Sequence, residues 1–71
     1  MGGIFMFILL IANYDYVENN TVKSGVHQTV LGLNDITPSL MDFILTNEIK
    51  QKYNRDVMNF THIFKQQGIN A

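Results

Sequence analysis

Eight consecutive apolar residues, Ile4 to Ile11 in the order IFMFILLI, constrain this chain more than any other stretch, because only 71 residues are available to bury them. A strand covered on both faces reads as a continuous apolar run, whereas a half-covered strand alternates. A buried helical segment would read the same way. The length of the run, the Gly2-Gly3 pair before it and its β-branched and aromatic content favour a strand. The run leads into Asn13-Tyr14-Asp15-Tyr16-Val17, which alternates, with Tyr14 and Tyr16 on one face.

The octet also has the core length of a signal peptide, but its flanks do not match one. No Lys or Arg precedes Lys23, and Asn13-Tyr14 follows Ala12 where small residues would be needed. A membrane-crossing helix needs about 20 apolar residues, so no membrane span is expected. Met6 is a second candidate start within the run. A secreted or membrane-attached small protein is the alternative that the octet leaves open.

The remaining elements follow in order. Glu18-Asn19-Asn20 reads as a tight turn, since Asn tolerates positive φ. Thr21 to Leu33 has period two and reads as a half-solvated strand, with Val22, Val26 and Val30 on one face and Lys23, His27 and Thr29 on the other. Gly25 inside it marks a bulge or a close approach. Leu31, Gly32 and Leu33 close that strand, and Asn34 to Pro38 leads into a helix with Thr37 as N-cap and Pro38 at the first helical position. Met41, Leu45, Ile49 and Tyr53 form its apolar stripe, widened by Leu40 and Ile44, and Phe43 falls nearly opposite. Lys50 and Lys52 suit the helix C-terminus and Asn54 suits a left-handed cap. Asp56 to Lys65 alternates again as a third strand, with Met58, Phe60, His62 and Phe64 on one face, and Gln66 to Ala71 is expected to fray.

Connection rules turn this list into an architecture. The chain predicts one small α+β domain, β-β-α-β, with a three-stranded sheet in the order 2-1-3 and one helix on one face. Strand three would run parallel to strand two, with strand one between them. One helix covers one face, so half of the octet, about four large side chains, would face water at a loss of roughly 1.5 to 3 kcal/mol each. A second copy or another protein is expected to cover that face, as in a homodimer formed through it.

No reaction chemistry stands out. The two histidines, His27 and His62, lack short ligand spacing and there is no Cys, so no metal, catalytic or cofactor site is expected. Ser24 and His27 fall on opposite strand faces and cannot pair as nucleophile and base without a bulge. With five basic against six acidic residues and no charge run, general nucleic-acid binding is not expected. Tyr14, Tyr16 and Tyr53 are candidate partner or ligand contacts, together with Phe43 and Arg55. The plainer reading of the tyrosines is that they cap the edge of the core.

The opening aliphatic strand ending in Tyr14-x-Tyr16, Ser24-Gly25 in the second strand, Asp35-Ile36-Thr37 at the helix start, Ile49 to Tyr53-Asn54 at its end and Val57-x-Asn59-Phe60 in the last strand together resemble small β-β-α-β accessory proteins of bacteriophages and prophages. Those proteins often carry a more glycine-rich, aromatic second strand, where this chain has Val26-His27-Gln28. The resemblance implies a non-enzymatic protein in the host cytoplasm that blocks a host defence enzyme by binding it, or one that sequesters a small signalling nucleotide.

Overall fold

The computed structural model describes residues 5–32 and 36–70 of the chain. Three strands, β1 (Phe5–Glu18), β2 (Thr21–Leu31) and β3 (Val57–Asn70), and one helix, α1 (Pro38–Tyr53), follow the order β-β-α-β. The sheet order is β2-β1-β3 and both pairings are antiparallel, so the apolar strand is central and its neighbours run parallel to each other. The expected α+β architecture is the observed one.

Local chemistry explains each boundary. Asn19 and Asn20 take φ of 53° and 60°, the left-handed pair that a two-residue turn between right-twisted strands requires. At the helix start the Thr37 hydroxyl accepts from the Leu40 N–H at 3.2 Å, with Pro38 in the first turn, where its missing N–H costs nothing. At the other end Asn54 is left-handed (φ 56°) and its N–H donates to the Lys50 carbonyl at 2.9 Å. β2 ends at Leu31, so Gly32 is not part of the strand as expected, and Leu33, expected to close it, lies outside the described residues, as do Asn34 and Asp35 of the helix lead-in, the Gly2-Gly3 pair, Ile4 at the head of the octet and Ala71.

On the helix side, Ile8, Leu10, Ala12, Tyr14 and Tyr16 of β1 pack with Ile36, Leu45 and Ile49, all at 0 to 5% exposure. Met41, Ile44 and Tyr53 flank this cluster, so the apolar stripe read from the sequence is the one that packs. Leu40, 39% exposed, is not among the residues packed on this cluster. A 16-residue helix is about 24 Å long, whereas 14 strand residues span roughly 46 Å. The strands therefore outrun the helix, and the radius of gyration, 14.0 Å, exceeds the about 11 Å of a compact chain this long. Beyond Ile8, which pairs with Leu31 at the end of β2, β1 is paired with β3 alone.

Two features of the strands differ from the sequence expectation. β3 does not fray after Lys65: Gln66–Asn70 pair with Leu9–Phe5, because the long β1 offers them an unbroken backbone partner. Strict alternation in β3 also fails. Register shifts opposite Asn13/Tyr14 and Asp15/Tyr16 each insert one residue, so Val57, Phe60 and Ile63 turn to the helix side while Asn59, His62 and Phe64 align with the other face. Gly25, in contrast, is not bulged, since β2 keeps one register throughout. The Tyr14 ring lies where a side chain would stand, and any Cβ at Gly25 would collide with it.

That contact sets a stability expectation. Gly25→Ala should lower unfolding free energy by about 1 to 3 kcal/mol through overpacking against a fully buried ring. Gly32→Ala, with nothing near its added methyl, should be neutral within about 0.5 kcal/mol. Urea denaturation of the two variants beside the parent measures both.

Candidate interaction surface

Sheet register assigns the side chains to two faces of opposite character. Toward the helix, β2 contributes Lys23, Gly25, His27, Thr29 and Leu31; away from it, Val22, Ser24, Val26, Gln28 and Val30. Half of β2 is solvated as expected, and the solvated half is the valine row: Val22, Val26 and Val30 are each 60 to 61% exposed. Across the open face the rows are Phe7 beside Gly68; Val30, Leu9 and Gln66; Gln28, Ile11 and Phe64; Val26, Asn13 and His62; Ser24, Asp15 and Asn59; then Val22 beside Val17. Apolar side chains dominate the first three rows, and Val26 extends them into the fourth. Phe7, Leu9 and Ile11 are half-buried by one another and by their neighbours, and Phe64 and Val17 are exposed. The helix lies on the other side of the sheet, so nothing in the described chain covers these residues.

The open face turns polar toward the hairpin. Ser24 donates to Asp15 at 3.3 Å, and the Thr61 hydroxyl, on an inserted residue of β3, donates to the Asn13 carbonyl at 3.3 Å. Asn13, Tyr14, Ser24, Gly25, Val26 and Thr61 border a shallow hollow of about 350 Å³ there. On the helix side, Lys23 reaches across the hairpin to Glu18 at 2.8 Å. That hydrogen bond holds the Glu18 carboxyl below its ordinary range and the Lys23 ammonium above its own.

The helix side carries most of the polar side-chain contacts. His27 is 4% exposed, with Nε2 at 2.7 Å from Glu48 and Nδ1 at 3.4 Å from the Tyr53 hydroxyl; Thr29 donates to the second oxygen of Glu48 at 3.3 Å. A buried imidazole is thus held by a carboxylate and a phenol from the helix, and no buried side-chain nitrogen or oxygen among the described residues is left without a partner. Ser24 and His27 indeed point to opposite faces. Among the described residues, no group of three His, Asp or Glu is placed to hold a metal ion, and no helix is long and apolar enough to cross a membrane.

Four of the five candidate contact residues meet at the helix C-terminus. Arg55 donates to the Tyr14 hydroxyl at 3.0 Å and lies 4.3 Å from the Tyr16 ring centroid and 5.1 Å from that of Tyr53. The hydrogen bond that Arg55 donates to Tyr14 is the main cause that raises the Arg55 pKa further above its ordinary value, so the guanidinium stays charged. Tyr14 and Tyr16 are buried, with their rings 5.8 Å apart, and Tyr53 is half-buried. These groups are occupied with one another, in a knot that ties the helix end to β1 through a planar cation stacked on aromatic faces. Phe43 stands apart, 56% exposed on the outer side of the helix. The larger apolar surface, on the open face, comprises valines and odd-numbered β1 residues that no single-residue cue marks. Its signal was the period of the valines combined with knowing which face the helix takes.

Comparison with protein-family models, with curated proteins and with solved structures gave no match.

The His27–Glu48 pair predicts an asymmetry. Glu48→Ala leaves a buried imidazole nitrogen unpaired and should cost about 1 to 3 kcal/mol, whereas adding His27→Leu to it should recover part of that loss by removing the orphaned group. Thermal unfolding of the single and double variants reads the difference, and a double variant no more stable than Glu48→Ala alone would show that the imidazole needs no partner.

Proposed function

We propose that this chain is a non-enzymatic binding protein that forms a homodimer through the open face of its sheet and acts by occupying a partner protein. One observation carries the reading: Phe7, Leu9, Ile11, Val26, Val30 and Phe64 form a contiguous apolar surface on the side of the sheet that the helix does not cover. A surface of this composition, with a polar margin at Asn13, Asp15 and Ser24, has the anatomy of a protein contact. A two-fold pairing of such faces stacks two sheets about 10 Å apart and lets each copy supply the cover that the other lacks.

The resemblance to phage accessory proteins supports a target in the host cell, with the protein acting by steric block. Sequestration of a small nucleotide draws less support, because Tyr14 and Tyr16, the aromatic groups best suited to stack on a base, are turned into the core.

Sedimentation at micromolar concentration tests the dimer. The parent chain should sediment as a dimer or a larger closed assembly, and Ile11→Glu, which places a carboxylate in the middle of the open face, should weaken association through that face at least about 10-fold while the far-UV circular dichroism stays native. A parent chain that is monomeric at every concentration and binds no apolar dye would overturn the reading. A rise in melting temperature with a nucleotide panel would favour sequestration instead.

A further inference from the structure

The sheet has two free edges, and they differ. β3 is interrupted by two register shifts, whereas β2 pairs with β1 over eleven consecutive residues without one, contains no proline and carries a single charged side chain, Lys23. Bulges, prolines and charges are the features that keep an edge strand from accepting another strand. β2 is nearly bare of them.

The turn decides which backbone groups of β2 are free. A two-residue turn closes on a doubly hydrogen-bonded pair, here Glu18 and Thr21. The odd-numbered residues of β2 therefore spend their N–H and C=O groups on β1, and the even-numbered ones, Val22, Ser24, Val26, Gln28 and Val30, direct theirs to the free edge. The same even-numbered set includes all three valines of the strand, spaced four apart and symmetric about Val26.

We propose that two copies of this chain join antiparallel along β2 about a two-fold axis at Val26, extending the sheet from three strands to six. In this register Val26 faces the partner's Val26 and Val22 faces the partner's Val30, so every valine of the row meets a valine on the open face. On the helix face Lys23 lies opposite the partner's Thr29, whose hydroxyl is bonded to Glu48, so opposite charges approach each other. A register centred on Lys23 would instead set two ammonium groups against each other. Gly25 falls opposite the partner's His27, with the Tyr14 ring filling the place of its side chain. A groove of about 390 Å³ lined by His27, Gln28, Thr29, Glu48, Gln51 and Lys52 borders this edge.

This pairing does not depend on the open-face dimer, and its test separates the two. The chain has no cysteine, so single substitutions at the exposed valines report on register directly. Across a doubly bonded antiparallel pair the Cα atoms are about 5.5 Å apart, within disulfide reach. Under mild oxidation, Val26→Cys should cross-link to itself. Val22→Cys and Val30→Cys, each about 26 Å from its own counterpart, should do so at least about 10-fold more slowly, and an equimolar mixture of these two should give the mixed disulfide. Gln28→Pro removes an N–H at the free edge and none from the β1 ladder, so it should abolish edge pairing and leave association through the open face, whereas Ile11→Glu should do the reverse. Equal cross-linking of the three single variants, or no self-cross-linking of Val26→Cys, overturns the pairing. The cysteine series decides even if Gln28→Pro does not fold.

Discussion

A central strand that is apolar on both faces needs two covers, and a single helix sixteen residues long can supply one of them. Much else in the structure answers to that constraint. The even-numbered residues of β1 from Ile8 to Tyr16 are buried against α1, and the odd-numbered ones gain only the shelter that side chains on one sheet face give each other. Completing the burial of Phe7, Leu9 and Ile11, which the sheet leaves half-buried, is worth a few kcal/mol in total, a large share of the stability of a domain this small. The open face of β1 is thus a substantial incentive to associate.

Polar chemistry is distributed in a way that deepens the asymmetry. The side chain with the greatest need of partners, the His27 imidazole, is enclosed on the helix side with Glu48 and Tyr53, and the Arg55 guanidinium is stacked there among three tyrosines. Thr29, which would otherwise hydrate the β2 edge, is bonded to Glu48. The valines are left to face water. An ordinary half-solvated strand places its polar row outward; β2 does the opposite because α1 brings Glu48 and Tyr53 to meet that row. Directional contacts thus fix the helix on the sheet, and nondirectional apolar surface remains free for association.

Most of the fold was legible in the sequence, for identifiable reasons. Thr37-Pro38, Asn54 and the Asn19-Asn20 pair act within a few residues of themselves, so their chemistry is local and their geometry follows from it. The order 2-1-3 followed from the octet, since only a central strand is covered by neighbours on both edges. What could not be read depends on pairing. The two inserted residues of β3, Thr61, which moves Phe60 from the face of His62 to that of Tyr14, and Met58, which moves Val57 from the face of Asn59 to that of Tyr16, have no mark in the sequence because a bulge is a property of two strands together. The extension of β3 to Asn70 was hidden for the same reason, since Gln66 and Gln67 are polar and their strand character comes from β1. As for the surface, tyrosines and an arginine attract notice as contact residues, yet burial and mutual bonding occupy Tyr14, Tyr16 and Arg55 here. The face left open is built from valines, which are conspicuous only as a row.

The two proposed contacts differ in physics and do not compete for residues' groups. Face pairing draws on side-chain area above the sheet, and its two-fold axis runs parallel to the sheet plane, midway between the two stacked sheets. Edge pairing draws on backbone hydrogen bonds of the even-numbered β2 residues, and its axis stands normal to that plane. Perpendicular two-folds close into a finite assembly of four copies where they intersect, whereas a strand edge that paired head to tail would propagate without end. The symmetry of Val22, Val26 and Val30 about a single residue favours the closed form, because it pairs the edge with itself and leaves β3 as the outer margin. That margin is the one carrying two bulges and Lys65, which oppose further strand addition. An edge open to one copy and a second edge closed to all others would limit growth, which matters for a chain whose apolar face would otherwise invite unlimited association.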